Sequence, residues 1–260
     1  MSVVTMEGWL ATAPAWVTGL PEGLQWLGFQ LYMTFIYQDR WTWFVDGLKI
    51  TFIVTLGALA LGLVVGLLVA VLRTAHDSQR VGKRSPILGA VNALCKLYLT
   101  VIRGTPMMVQ LLIMGFVIMV PKTDRETLIC GVVTLGINSG AYVAEIARSG
   151  LMSIGAGQME AGRSLGLNYR QTMWYIIIPQ AIKNILPALG NEMITLLKDT
   201  SLVSVIALRD VTKQAQNIVS ATYQAYVPYI SLAVIYLVLV LILTKLLGIF
   251  ERRLRASDRR

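Results

Sequence analysis

Residues 50–72 read ITFIVTLGALALGLVVGLLVAVL, with no charge between Lys49 and Arg73. A helix needs about 20 apolar residues to cross a hydrocarbon core roughly 30 Å thick, and this run suffices. Within it Ala58, Gly62 and Gly66 recur at four-residue spacing. Such a stripe either lets a second helix approach closely or simply faces lipid. The whole 260-residue chain is 55% hydrophobic, with a mean hydropathy of +0.64 and a formal net charge of +9. It is too apolar for an ordinary soluble domain and too often interrupted for a single anchor. The expected class is therefore an all-α polytopic membrane protein with one integral membrane domain.

Outward from that span, the apolar region 86–120 is too long for one straight crossing and carries Lys96, Arg103 and the tripeptide GTP at 104–106. We expect one tilted helix, bent near Pro106, with neighbouring groups satisfying the backbone carbonyl that proline leaves free. Further spans are expected at 127–147, 184–208 and 226–250, about five in all. Lys and Arg should be enriched in cytoplasmic loops. Fourteen lie in segments 73–85 and 147–183 and in the tail from 245; five (Arg40, Lys122, Arg125, Arg209, Lys213) lie on the other side. This asymmetry puts the N-terminus outside and the C-terminus in the cytoplasm. A sixth span made by splitting 86–120 would violate it. The positive charge sits in short loops, which suits membrane topology rather than nucleic acid.

The first 46 residues hold five of the six tryptophans, and the apolar stretch 24–37 is short for a span. An outer interfacial helix is expected there, with an added crossing as the alternative. Glu7 and Glu22 precede any Lys or Arg, so no cleavable signal peptide is expected. Cys95 and Cys130 lie in apolar runs and read as small hydrophobes, not as a disulfide.

Residues 160–179, EAGRSLGLNYRQTMWYIIIP, are polar and basic between apolar runs. Only twelve residues separate Arg170 from Lys183, too few to cross, so the stretch stays on the cytoplasmic side. Gly166 follows a helix-competent run and suits the left-handed position past a helix end. Asn168 with Gln171 reads as a capping box opening a second short helix, expected to stop before Pro179. The pattern describes a protruding elbow, equally a solvated loop or a docking site.

The residues Glu160, Ala161, Gly162 and Gly166, followed by Ile176, Ile178 and Pro179, resemble the cytoplasmic "EAA" motif of permease subunits in bacterial ABC importers. RGTPMMVQ at 103–110, GINSGAYVAEIARSGL at 136–151 and LPALGNEMITLLKDTSLVSVIAL at 186–208 resemble the polar amino acid uptake branch. The likeness spans roughly residues 45–255. Gly162 stands where the family usually has alanine, an exchange that would loosen the first elbow helix by about 1 kcal/mol. Ile178 stands where leucine is frequent.

The resemblance implies a multi-pass subunit of the bacterial inner membrane. Residues 1–46 would be an extracytoplasmic or interfacial segment. Residues 47–251 would form the importer's transmembrane domain with its coupling elbow at 153–179, and 252–260 a basic tail. Implied partners are two copies of an ATP-binding cassette ATPase, a second permease (the same or a similar chain), an extracytoplasmic substrate-binding protein, the amino acid and lipid. ATP and Mg would be used by the ATPase. This chain has no GxxxxGK[ST] phosphate loop, the nearest fragment being Gly82-Lys83-Arg84-Ser85 without the preceding glycine, and no cofactor, metal or catalytic set is expected in it.

Polar groups inside spans need a reason, because a charge at a span centre costs about 2.5 to 3.5 kcal/mol on insertion. Asn138, Tyr142 and Glu145 share one helical face, as do Asn191, Thr195 and Lys198, with Glu192 and Asp199 on another stripe. Arg103 and Gln110, seven residues apart, share a face beside the bend. A zwitterion needs a carboxylate for its ammonium and polar donors for its carboxylate. Arg103, Gln110, Asn138, Tyr142, Glu145, Asn191, Lys198 and Asp199 are the candidate substrate path. The alternative is a set of interhelical bonds, and for Lys198 and Asp199 the structural role is the expected one. His76 has no partner pattern. A gradient-driven transporter or a non-transporting anchor subunit are the competing classes.

Overall fold

The computed structural model describes residues 5–77, Gln79 and 85–256, with the side chains of 255 and 256 left aside. Arg80, Lys83 and Arg84, the phosphate-loop-like fragment up to Arg84, and tail residues 257–260 lie outside the described residues; so does the Arg255 side chain. Among the described residues there is no strand. The α-helices are α1 (Met6–Leu10), α2 (Ala15–Thr18), α3 (Glu22–Leu31), α4 (Trp41–Asp77), α5 (Pro86–Gly104), α6 (Met107–Ile113), α7 (Asp124–Met152), α8 (Ala156–Ser164), α9 (Tyr169–Thr172), α10 (Ile178–Asp199), α11 (Val211–Thr222) and α12 (Tyr226–Ala256).

Among the described residues, four helices are long and apolar enough to cross a membrane: Trp41–Asp77, Pro86–Gly104, Asp124–Met152 and the Tyr226–Leu254 part of α12. The fifth expected span corresponds to α10. It begins at Ile178 rather than near residue 184 and ends as a 3-10 turn over Thr200–Ile206. At 1.5 Å per residue it is about 33 Å long. Lys183, Glu192, Lys198 and Asp199 keep it out of the strongly apolar set.

The region expected to be one bent helix is instead broken. Thr105 is extended (φ −117°, ψ 144°) and Pro106 follows at ψ 137°, so α5 stops and α6 starts afresh. Proline disfavours the helical region for the residue before it, and here that preference prevails. With its wide last turn over Met114–Ile118, α6 reaches only about 18 Å.

Two compact units can be described separately: Met1–Thr51 with Arg209–Val238, and Phe52–Leu208 with Leu239–Arg260. In the first, α11 buries Val211, Ala215 and Ile218, spaced four and three, against Phe44, Phe35, Trp43 and Leu48. A methyl group on Gly47 would lie 2.7 Å from the Val211 Cα, so glycine permits this approach. Asp210 caps α11, accepting from the Thr212 and Lys213 N–H groups. The short helix expected over 24–37 appears as α3, continued by a wide turn over Tyr32–Ile36. Two left-handed residues, Gln38 and Asp39, follow it. Trp9 packs on Phe29 and Tyr32 at centroid distances of 5.7 and 5.9 Å.

In the second unit α7 is the axis, packed along α10 and against α4 and α5. The α4 stripe faces this axis, not lipid. Ala58 is buried, and a Cβ on Gly62 or Gly66 would lie 3.0 Å from Ser139 or 2.6 Å from Val143. Val69, Cys95, Leu99, Ala141 and Ala144 form a core cluster, and Cys95 and Cys130 are both free and buried. Tyr98 of α5 donates its hydroxyl to the Ile137 carbonyl of α7 at 2.5 Å.

Candidate functional site: a charged cleft and a surface elbow

The break at Pro106 fixes the end of α5 and with it Arg103. Proline has no N–H, so the Ile102 carbonyl four residues earlier has no helical partner. Gln110 replaces it: its Nε2 donates to the Ile102 carbonyl at 2.7 Å, to Thr105 Oγ1 at 2.8 Å and to the Thr105 carbonyl at 3.2 Å. Its Oε1 accepts from Asn138 Nδ2 at 2.9 Å. Two candidate path residues thus meet each other and hold the break.

Arg103 turns toward α7. Its Nη1 lies 3.3 Å from Glu145 Oε2, and its guanidinium carbon sits 5.5 Å from the Tyr142 ring centroid. These three line an open cleft of about 440 Å³ together with Ser149, Asn184 and Glu192. Glu192 Oε1 accepts from Ser139 Oγ at 2.8 Å, and Asn184 Nδ2 donates to Ser153 Oγ at 2.8 Å. The cleft therefore presents a guanidinium, two carboxylates, an aromatic face and an amide to one space. Those are groups able to hold both ends of a zwitterion.

Of the candidate path residues, Arg103, Tyr142 and Glu145 come together here. Asn191, Lys198 and Asp199 do not line the cleft. Asn191 is exposed and donates locally to the Pro187 carbonyl at 3.1 Å, and Lys198 is exposed. Glu192 is the lining carboxylate that the candidate set omits. Only the register of α10 against α7 selects it over Asp199, and sequence spacing does not carry that register. His76, expected without a partner, lies 3.3 Å from Asp77 Oδ1 and 3.2 Å from Asn92 Nδ2. Asp77 in turn pairs with Arg148 Nη2 at 3.2 Å, joining the ends of α4 and α7.

The elbow forms as α8 and α9. Leu167 N–H reaches the Gly162 carbonyl and Gly166 N–H the Arg163 carbonyl, both at 2.9 to 3.0 Å, with Gly166 at φ +79°. This is a complete Schellman ending. The capping box is also present, Asn168 Oδ1 accepting from Gln171 N–H while Gln171 Oε1 accepts from Asn168 N–H, each at 2.9 Å. Gly162 does more than loosen α8. It is buried, and a Cβ there would lie 2.5 Å from the fully buried Thr172, so the small residue lets α8 and α9 close on each other. The second elbow helix does not stop before Pro179. A wide turn over Met173–Ile177 leads straight into α10, where Pro179 occupies the first turn and its missing N–H costs no bond. Glu160, Ala161, Leu165, Gly166 and Pro179 are exposed, with Trp174 and Tyr175 about 70% exposed beside them.

Residues 87–256 match the family described as binding-protein-dependent transport system inner membrane component. The glutamine transport system permease protein GlnP of Escherichia coli is 37% identical over 213 residues, covering 81% of this chain and 92% of that protein. The arginine transport system permease protein ArtQ of Bacillus subtilis is 42% identical over 187 residues, covering 66% of this chain and 84% of that one. A crystal structure of an amino acid ABC transporter with histidines superposes with a TM-score of 0.74 at 43% identity, over 84% of this chain and 98% of its own. The fold alone extends to an inward-facing MetNI methionine transporter, at 19% identity and a TM-score of 0.66 over 82% of this chain and 96% of that one.

Proposed function

Because this chain belongs to the family of binding-protein-dependent transport system inner membrane components, we propose that it carries a polar amino acid through the cytoplasmic membrane as the permease subunit of an ATP-driven importer. Its relatives are named for glutamine and arginine transport. An importer of this family works with an ATPase and a substrate-binding protein. The observation that carries the cargo reading is the Arg103–Glu145 pair at 3.3 Å in an open cleft, with Tyr142 and Glu192 on the same space. Arg103 would take the α-carboxylate, and Glu145 with Glu192 the α-ammonium.

Residues 47–251 act as the translocating domain, 252–260 as a basic tail, and the exposed elbow within 153–179 as the seat for the ATPase. There Glu160 offers a charge, Ala161 a small helical surface, Gly162 and Gly166 the tight turn, and Pro179 the entry to α10. Two ATPase copies, which use ATP and Mg, flank a pair of permeases made of this chain with itself or a similar one. The N-terminus is outside and the C-terminus cytoplasmic, which the Lys and Arg asymmetry supports. ATPase closure draws the elbows together and rocks α7 and α10 around the cleft, opening it alternately to each side. Uptake of labelled amino acid into vesicles holding the complex should need ATP and survive an ionophore. Uptake that continues without ATP but collapses with the ionophore would overturn the reading.

A further inference from the structure

Beside the Arg103–Glu145 pair a second open cleft of about 480 Å³ is lined by Arg73, Lys96, Thr100, Arg103 and Glu145. Lys96, Thr100 and Arg103 are spaced four and three along α5, on one exposed face. Glu145 Oε2 faces both guanidiniums, Arg103 at 3.3 Å and Arg73 at 3.8 Å. Lys96 has no ion-pair partner among the described residues, and it sits near the middle of a helix long and apolar enough to span. A lysine there is held against a cost unless it lines a polar path. Three cations therefore face one carboxylate, and the cleft carries a surplus of two positive charges.

A zwitterion lying on the shared Arg103–Glu145 pair adds no net charge and leaves that surplus in place. An anion entering beside it relieves the repulsion between Arg73 and Lys96, whereas a cation adds to it; discrimination by repulsion is as effective as discrimination by attraction. We propose that this cleft receives the side chain of a dicarboxylic amino acid, with the side-chain carboxylate between Lys96 and Arg73. The inference rests on the translocation reading above and adds the charge class of the cargo.

The test is direct binding of labelled L-glutamate, L-glutamine and L-arginine to the permease–ATPase complex in lipid nanodiscs without binding protein. Glutamate should bind about tenfold or more tighter than glutamine, and arginine weakest. Lys96→Met should weaken glutamate about tenfold while moving glutamine less than about threefold, and Lys96→Glu should reverse the order of glutamate and arginine. Lys96 is exposed, so recovery of each variant complex on gel filtration should match the parent. If glutamine or arginine binds as tightly as glutamate, or if Lys96→Met leaves the ratio unchanged, the charge inference falls while the cleft reading stands. If none of the three binds, the cleft reading falls and this inference with it.

Discussion

Gln110→Met removes a side chain that joins three elements at the Pro106 break. Four hydrogen bonds are lost, but their costs differ. Thr105 Oγ1 still donates to the Val101 carbonyl at 2.8 Å, so its loss is small. The Ile102 carbonyl has no backbone donor because residue 106 is proline, and Asn138 Nδ2 loses its acceptor. Each such unmade bond costs about 1 kcal/mol or somewhat more, and averages nearer 0.6 kcal/mol inside membranes, so the expected destabilisation is about 1.5 to 3 kcal/mol. For a chain of this size that is a fall in Tm of roughly 5 to 10 °C. Cys95 and Cys130 are free and buried, so their reaction with a fluorogenic maleimide on heating reports unfolding in detergent. The decisive measurement is a double-mutant cycle. Pro106→Ala restores an N–H that can close on Ile102, and in that background Gln110→Met should cost less by about 1 kcal/mol. An equal loss of Tm in both backgrounds would refute the assignment of Gln110 to the carbonyl that proline leaves free.

Gly166→Val places a β-branched residue at φ +79°, a strain of about 1 to 2 kcal/mol confined to the elbow. The variant should insert normally yet lose ATPase subunit on purification or lose hydrolysis stimulated by loaded binding protein; normal values for both would leave the elbow a solvated loop. Glu145→Gln keeps the shape of the cleft and removes one carboxylate, so uptake should fall at least tenfold with the complex intact, checked by initial rates across substrate concentrations. Burial pushes the Asp210 carboxyl up to about 6 from an ordinary 3.8, against the cap bonds that pull it down. The folded state therefore binds the proton more tightly, and this group's contribution to stability is full below the unfolded value and lost as pH rises through about 6. Asp210→Asn keeps the cap acceptor and should abolish that pH dependence; Asp210→Ala should abolish it too and, lacking the cap, lie about 1 kcal/mol below Asp210→Asn at every pH, as thermal unfolding from pH 4 to 8 would show.

Features set within one or two turns of chain were legible in the sequence. The charge-free run 50–72, the left-handed Gly166 and the Asn168–Gln171 box each depend on neighbours a few residues away, and each formed as the local chemistry dictates. What depends on register between distant elements was not legible. Spacing alone puts Gln110 and Asn138 on polar stripes that look like a path. Only the approach of α6 to α7 turns them into a clamp on the broken helix. Pro179 reads as a stop because a proline blocks a regular helix; the wide turn before it is what lets the chain run on into α10. Glu192 and Asp199 are equivalent by helical spacing, and the packing of α10 on α7 alone brings Glu192 to the cleft. In the same way Asp77 and Arg148 are far apart in sequence, and their ion pair exists because the stripe of Ala58, Gly62 and Gly66 lets α4 lie close along α7. Local backbone chemistry is fixed by steric and hydrogen-bonding rules over a few residues, whereas the partner of an intramembrane polar group is set by which helix faces meet, and that is a property of the packed whole.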